Sequence, residues 1–284
     1  MTPLENALYV VATPIGNLRD ITLRALDVLT QADVVAAEDT RNSAHLLAQH
    51  HIRAKQLVAV HQHNERGSAE RMLGWLRSGQ SVAFISDAGT PAVSDPGAIL
   101  VQAVRAAGFR VIPVPGPSAA VAALSASGLL SPHFRFHGFL PNKAAARRSE
   151  LQTLQAENGT VVFYEAPHRI VECVDDMRSV CGDERQVVLA REISKLFETF
   201  FAGTLAEAAA WLQADSNQQR GEFVVLLSAA PPAEGLSDSA RRTLQLLLAD
   251  LPLKQAVQLA ANISGEPRNT LYQLALQLKQ ADAE

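Results

Sequence analysis

Cysteine is nearly absent. Cys173 and Cys181 are the two thiols among 284 residues, too few for a disulfide framework or a four-cysteine zinc site, so a reducing cytoplasmic setting is expected. No apolar run reaches the roughly 18 residues that a membrane span needs. The opening stretch MTPLENALYVVATP has no basic segment ahead of its apolar residues, so no secretory leader is expected. Positive charge is not in excess: 25 Lys and Arg against 29 Asp and Glu leave a net charge of −4, and composition alone gives no footprint for nucleic acid. Internal repeats and low-complexity tracts are missing. So are two nucleotide signatures. No G-x-G-x-x-G follows the first strand-like run, which disfavours a dinucleotide site, and no GxxxxGK[ST] occurs, which excludes a P-loop.

What is present is a core-forming composition, 48% hydrophobic and 19% charged, in a chain long enough for one large domain or two ordinary ones. Short apolar runs at Leu8–Thr13, Val34–Glu38, Leu57–Val60, Val82–Ser86 and Val111–Val114 predict buried strands. Amphipathic stretches at Ile21–Thr30, Glu65–Arg77 and Pro96–Ala107 lie between them. The alternation predicts a mostly parallel sheet with helices on its faces, with Asp95 capping a helix that opens at Pro96. After the PGPS turn, strands are expected at Arg135–Phe139, Thr160–Tyr164, Gln186–Arg191, Glu198–Ala202 and Glu222–Leu227. Helices are expected near 143–157, 168–180 and 204–213. The gap between Arg191 and Glu198 is too short for a parallel crossover, so those strands should pair antiparallel in a mixed sheet. The stretch SAAPPAEGLSDSA reads as a linker, and three helical patterns with a Gly-Glu-Pro turn follow it, resembling a helix-turn-helix core. The expected domains are 1–116, 117–230 and 237–284.

Ligands of open α/β sheets collect outside the carboxyl ends of the strands. Each expected strand of the first sheet ends in Gly, Pro or polar residues. These are Thr13–Asn17, Glu38–Arg41, His61–Glu65, FISDAGTPAVSDPG over Phe84–Gly97, and Pro115–Ser118. His61 and His63 have the spacing of a metal pair but no third ligand nearby, so no metal is expected. Asp87 stands where a phosphate would be repelled. A ligand bearing an amine and hydroxyls fits better, and S-adenosylmethionine, a sugar or an amino acid all satisfy that chemistry.

The strings LYVVATPIGNLRDITLRAL, AAEDTR, HQHNE, SDAGTPAVSDPG, VPGPSA, FHGFLP, FYEAPHR, AREISK and RGEFVVLL run through nearly the whole chain in order. They resemble the bacterial ribosomal RNA ribose methyltransferases of the tetrapyrrole-methylase-like class, which use S-adenosylmethionine. The resemblance implies two α/β domains, a parallel then a mixed sheet, with the cofactor in the cleft between them and a small C-terminal helical domain. It implies cofactor contacts at Pro14, Ile15 and Gly16, at Asp87, Gly89 and Thr90, at Ser118 and Ala119, and at Ala166. It further implies 2′-O-methylation of a cytidine in the decoding centre of 16S rRNA within the 30S subunit, by a homodimer away from any membrane.

A ribose hydroxyl is a weak nucleophile, so a base or a cation for the developing alkoxide is needed. Glu38, Arg41, His61 and Lys195 are the candidates for that chemistry. Lys143, Arg147 and Arg148 form the clearest basic strip for RNA phosphates, and equally suit a solvated helix face. Two alternatives stay open at this point: a tetrapyrrole C-methyltransferase, and a ribosome-assembly factor without turnover.

Overall fold

The computed structural model describes residues 3–60, 65–231, 236 and 238–281. The chain divides into two compact units, Met1–Ala229 and Ala230–Glu284.

The first unit opens with five short strands, β1 (Ala7–Val11), β2 (Val34–Ala37), β3 (Leu57–Ala59), β4 (Val82–Ile85) and β5 (Arg110–Val114). They form one parallel sheet in the order β3-β2-β4-β1-β5. β2 and β4 are buried at every residue, which is why their sequences are continuous Val, Ala, Phe and Ile. Side-chain alternation divides the rest. Ala7, Tyr9 and Val11 face α1 (Leu23–Gln31) and Leu47 of α2 (Thr40–Gln49). Leu8, Val34 and Phe84 face Met72, Leu73 and Leu76 of α3 (Glu65–Arg77) and Leu100 and Val104 of α4 (Ala98–Ala106). Thr40 and Arg41, expected in a loop, instead open α2, because the Asp39 side chain accepts from the Arg41 N–H and caps the helix.

α5 (Ala119–Ala126) leaves the end of β5 and packs on the second sheet, with Ala120 and Ala123 against Val162, Val188, Ala190, Val224 and Leu226. That sheet holds β6 (Phe134–Phe139), β7 (Thr160–Glu165), β8 (Gln186–Arg191), β9 (Thr199–Thr204) and β10 (Phe223–Leu227) in the order β6-β7-β10-β8-β9. β6 and β7 are parallel, β10 is antiparallel to both its neighbours, and β8 and β9 pair antiparallel from Gln186↔Thr204 to Arg191↔Thr199, as their short connection requires. α6 (Ala144–Leu154), α7 (Ile170–Cys181) and α8 (Leu205–Ala214) cover the face opposite α5. α8 starts on a capping box in which the Thr204 hydroxyl accepts from Glu207 N–H and the Glu207 carboxylate accepts from Thr204 N–H.

The second unit is a three-helix cluster, α9 (Asp238–Asp250), α10 (Leu253–Ser264) and α11 (Arg268–Ala281), around Leu244, Val257, Leu271 and Leu274. Gly265 ends α10 in the left-handed region at φ 73°, and Pro267 precedes α11.

The basic strip of α6 needs correction. Arg147 is 1% exposed, its Nε donating to Asp176 at 2.6 Å and its Nη2 to Glu172 at 3.4 Å. Arg148 donates to the other oxygen of Asp176 at 2.8 Å. The face of α6 that carries Arg147 packs on α7, so this guanidinium holds two helices together and is not offered to phosphate. Replacing Arg147 with Ala strips the 8%-exposed Asp176 of its buried partner, and a loss of about 3 kcal/mol is expected in urea unfolding. Arg148→Ala, at the exposed end of the same network, should cost less than about 1 kcal/mol. Equal losses would contradict the buried role of Arg147.

Candidate active site

A parallel sheet delivers all its carboxyl ends to one edge, and here the loops leaving β1, β4 and β5 are tied into one surface. Thr13 and Gly89 exchange backbone hydrogen bonds of 2.9 and 3.0 Å. The buried Thr13 hydroxyl donates to the Ser86 carbonyl at 3.2 Å, and the Thr90 hydroxyl donates to the Pro117 carbonyl at 3.0 Å. Facing them are the ends of β6 and β7, the turn after β8, and the start of β10. Between the two sets lies a cavity of about 340 Å³. The first sheet lines it with Ile15, Gly89, Thr90, Asp95, Ser118 and Ala119. The second sheet contributes Phe139, Tyr164 to Pro167, Ile193, Lys195 and Glu222 to Val224.

Two loops at this cavity hold non-glycine residues in the left-handed region: Ala92 and Ser94 at φ 66° and 61°, and Glu192 and Ser194 at φ 51° and 70°. Strain of this kind is sustained only where the surroundings dictate it. For the second loop the surroundings are clear. Gly16 lies so close that an added Cβ would stand 2.5 Å from Lys195 Cγ and 2.9 Å from the Ile193 carbonyl oxygen. The Ser194 hydroxyl donates to the Asp20 carboxylate, and Ser194 N–H donates to Glu198 at 2.6 Å. Lys195 is then aimed between two carboxylates, Glu192 and Glu222, at 2.8 Å each. Burial alone would lower the Lys195 pKa, but those two carboxylates outweigh it and raise the value, so Lys195 stays a cation.

The acids differ from one another by their partners. Arg41 clamps Asp39 at 2.6 Å and holds its pKa at about 2. Glu165 is 2% exposed; one of its oxygens accepts from Ala166 N–H at 2.8 Å and lies 3.2 Å from Arg169, while Oε2 is buried with no hydrogen-bond partner. Glu38 is half-buried, and its pKa is raised by that burial, then by Asp95, Asp87 and Asp39. Asp95 is raised by burial and by Asp87, against a hydrogen bond from Ser86.

The structure gathers most of the expected ligand-contacting residues. Ile15, Gly89, Thr90, Ser118, Ala119, Ala166 and Lys195 all line the cavity. Pro14, Gly16 and Asp87 do not. Gly16 supports the Ile193–Lys195 turn from outside and borders a shallow hollow with Asn17 and Leu18. Asp87 turns to α2, accepting from Asp39 N–H at 3.1 Å and from the Asn42 amide at 2.8 Å. Glu38 and Arg41 stand at the strand edge, the Arg41 side chain 89% exposed, and His61 lies outside the described residues. Asp95 is not the cap that the sequence suggests. Gly97 is the N-cap at φ 129°, and α4 begins only at Ala98. A side chain at Gly97 would collide with the buried Phe84 ring at 2.4 Å, and Asp95, two residues ahead of this N-cap, lines the cavity. Phe139, Tyr164, Glu165 and Glu222 were not among the expected contacts; their motifs, FHGFLP, FYEAPHR and RGEFVVLL, were the signal for them.

The donor set selects a ligand type. Asp95, Glu165 and Glu222 bring negative charge, and the cation among the described lining residues, Lys195, is already held by two carboxylates. Such a cavity suits a cationic ligand, while the Glu165 carboxylate is buried beside Arg169 and the Cys173 thiol and is not offered to it. The N-terminus of α5, at Ser118 and Ala119, supplies backbone N–H groups for a carboxylate.

Comparison with known proteins agrees with this arrangement. Residues 7–209 match the family model of Tetrapyrrole (Corrin/Porphyrin) Methylases, and residues 234–279 match that of the RsmI C-terminal HTH domain. Among curated proteins, the ribosomal RNA small subunit methyltransferase I of Pseudomonas aeruginosa is 56% identical over 95% of this chain and 96% of its own. The proteins of the same name from Neisseria meningitidis serogroup B and Haemophilus influenzae are 52% and 46% identical, over 96% and 97% of this chain and 94% and 98% of theirs. Among solved structures, a cobalt precorrin-4 methyltransferase superposes with TM-score 0.60 at 17% identity, covering 78% of this chain and 95% of its own, and shares the fold. A uroporphyrin-III C-methyltransferase from Thermus thermophilus does so with TM-score 0.54 at 22% identity, covering 78% and 93%. With the two sheets, the loop-lined cavity and the near full-length relatives in agreement, this chain belongs to the tetrapyrrole methylase family.

Proposed function

We propose that this protein methylates the ribose 2′-hydroxyl of a cytidine in 16S rRNA, with S-adenosylmethionine as methyl donor. The observation that carries the reading is the cavity itself. Its walls are mainly apolar, with Asp95 and Glu222 among them and no spare cation among the described residues that line it, in a chain 56% identical along 95% of its length to a relative named for small-subunit ribosomal RNA methylation. When bound, the cofactor supplies an electrophilic methyl group on a sulfonium that leaves as a neutral thioether.

The protein's part is positioning. The α5 N-terminus at Ser118 and Ala119 suits the carboxylate of the amino-acid moiety. Ile15, Ala166 and Pro167 form an apolar wall, with Gly89 and Thr90 bringing backbone close. Pro14, Gly16 and Asp87 support this shell from behind. Lys195, kept protonated, anchors the strained turn and adds positive charge near a developing alkoxide. Arg41, exposed beside Asp39, is placed for a phosphate. Glu38 is a carboxylate of raised pKa at the strand edge, and His61 is to be tested by substitution. The substrate is rRNA in the assembled 30S subunit, in the cytoplasm. Residues 1–116 and 117–230 serve as the two lobes and 237–284 as an accessory helical domain. Leu196 and Phe197, 89% and 67% exposed beside the site, support a homodimer.

The test is transfer of labelled methyl from S-adenosylmethionine to 30S subunits from a strain lacking this modification, followed by nucleoside mass spectrometry. One 2′-O-methylcytidine per subunit is expected; transfer to a porphyrinogen and none to rRNA would overturn the reading. Gly16→Ala forces the Ile193–Lys195 turn outward by tenths of an ångström, and kcat should drop by up to about a hundredfold while the circular dichroism spectrum stays native. Unchanged kcat would show that this close approach does not position the site.

A further inference from the structure

We propose that Arg169 is a positioning residue: its guanidinium latches the ends of β6 and β7 together and so fixes the second sheet's wall of the cavity, at Phe139 and at Ala166 and Pro167. This rests on the reading of the cavity as the methyl-donor site.

β6 and β7 are parallel neighbours, so their carboxyl ends emerge side by side at the cavity. Phe139 is the last residue of β6, and Ala166 and Pro167 follow Glu165, the last residue of β7. Arg169 reaches both segments. On the β6 side, the Leu140 carbonyl accepts from its Nη2 at 2.7 Å, the Pro141 carbonyl from the same nitrogen at 3.3 Å, and the Asn142 side-chain oxygen from its Nη1. On the β7 side, Glu165 Oε1 stands 3.2 Å from its Nε. That oxygen also accepts from Ala166 N–H at 2.8 Å, and the Ala166 carbonyl accepts from Arg169 N–H at 3.0 Å. Ala166 is thus held by both of its backbone groups, in a turn whose second position, Pro167, has its φ set by the ring.

The latch is anchored in the core. The next residue, Ile170, opens α7 and is fully buried with Cys173 and Val174, and the Cys173 thiol lies beside the Glu165 carboxylate. A guanidinium presents its N–H groups in a fixed plane, a geometry that a lysine ammonium cannot reproduce across these four acceptors. Neither Arg169 nor Asn142 lines the cavity, so an effect of either on the donor must pass through the wall. The wall meets the donor alike before and during transfer. Loosening it therefore weakens donor binding and leaves the saturated rate near its original value. Arg185 supplies the comparison. This buried arginine also clamps backbone, donating to the Ser228 carbonyl at 2.7 and 3.0 Å and to the Gln155 carbonyl at 3.0 Å. β10 pairs Phe223 with Glu165 and Leu227 with Val161, so Ser228 lies at the end of the sheet away from the cavity.

Arg169→Lys, Asn142→Ala and Arg185→Lys test this, with calorimetry against S-adenosylhomocysteine as the donor-site probe, methyl transfer to 30S subunits for the kinetics and thermal melting as the folding control. Arg169→Lys should weaken the probe and raise the KM for S-adenosylmethionine by about tenfold, with kcat at saturating donor within about twofold of wild type. Asn142→Ala, at an exposed position, removes one acceptor and should weaken the probe by about threefold with melting unchanged, which covers the case of a Lys variant that melts out. Arg185→Lys should lower the melting temperature as Arg169→Lys does, while probe binding and KM stay within about twofold of wild type. Wild-type probe affinity in both latch variants, or equal weakening in Arg185→Lys, would overturn the proposal. Wild-type protein that binds no S-adenosylhomocysteine would overturn the donor-site reading and the latch with it, a result told apart because it appears before any substitution.

Discussion

Gly16 meets the Ile193–Lys195 turn with no room for a side chain between them, and the geometry of the site depends on that approach. One partner comes from the loop after the first strand and the other from the turn after the eighth, on different sheets. Each is held on its own side. The Thr13–Gly89 bridge and the Thr90–Pro117 bond make the first sheet's loops a single surface, while the Ser194–Asp20 and Ser194–Glu198 bonds hold the opposing turn in its left-handed conformation. α5 completes the link, leaving the first sheet's edge and burying Ala120 and Ala123 on the second. Small residues at these contacts, Gly16, Ala120 and Ala123, let backbone approach backbone. A cleft lined with fixed N–H groups requires that closeness.

Within the cleft, the acids share a charge and differ in their neighbours. Asp39 has a bidentate arginine, Glu165 sits beside Arg169, and Glu192 and Glu222 share one lysine. Burial, Asp95 and Asp87 raise Glu38, and burial and Asp87 raise Asp95. Opposite partners keep a carboxylate ionised and weakly basic, whereas like neighbours and burial make it hold a proton more tightly.

Much of the fold was legible because its cause is local. Strands buried on both faces must be apolar throughout, so VVAA and VAFI announced themselves, and seven residues between strands force an antiparallel pair. The cavity loops could be read because a parallel sheet sends every carboxyl end to one edge. Three side chains found surroundings that the local sequence does not record. Arg147 resembles a solvent-facing helix residue until α7 brings Asp176 against it. Asp95 resembles a cap until the chain runs on to Gly97, which takes the N-cap place at φ 129°. Asp87 resembles a ligand-facing acid until α2 presents Asn42 to it. For Arg147 and Asp87 a residue distant in sequence took the side chain.

The sequence by itself determined which segments become strands and helices, which loops border the cavity and, through its motifs, which family the chain joins; backbone sterics and burial act over a few residues and leave a periodic record. The tertiary structure decided which of the many acids and bases face the cavity and what each has as its neighbour. A carboxylate's basicity is set by charges and burial within a few ångströms, and for Glu38, at the end of β2, the carboxylates that raise it, Asp95 and Asp87, follow β4 far along the chain.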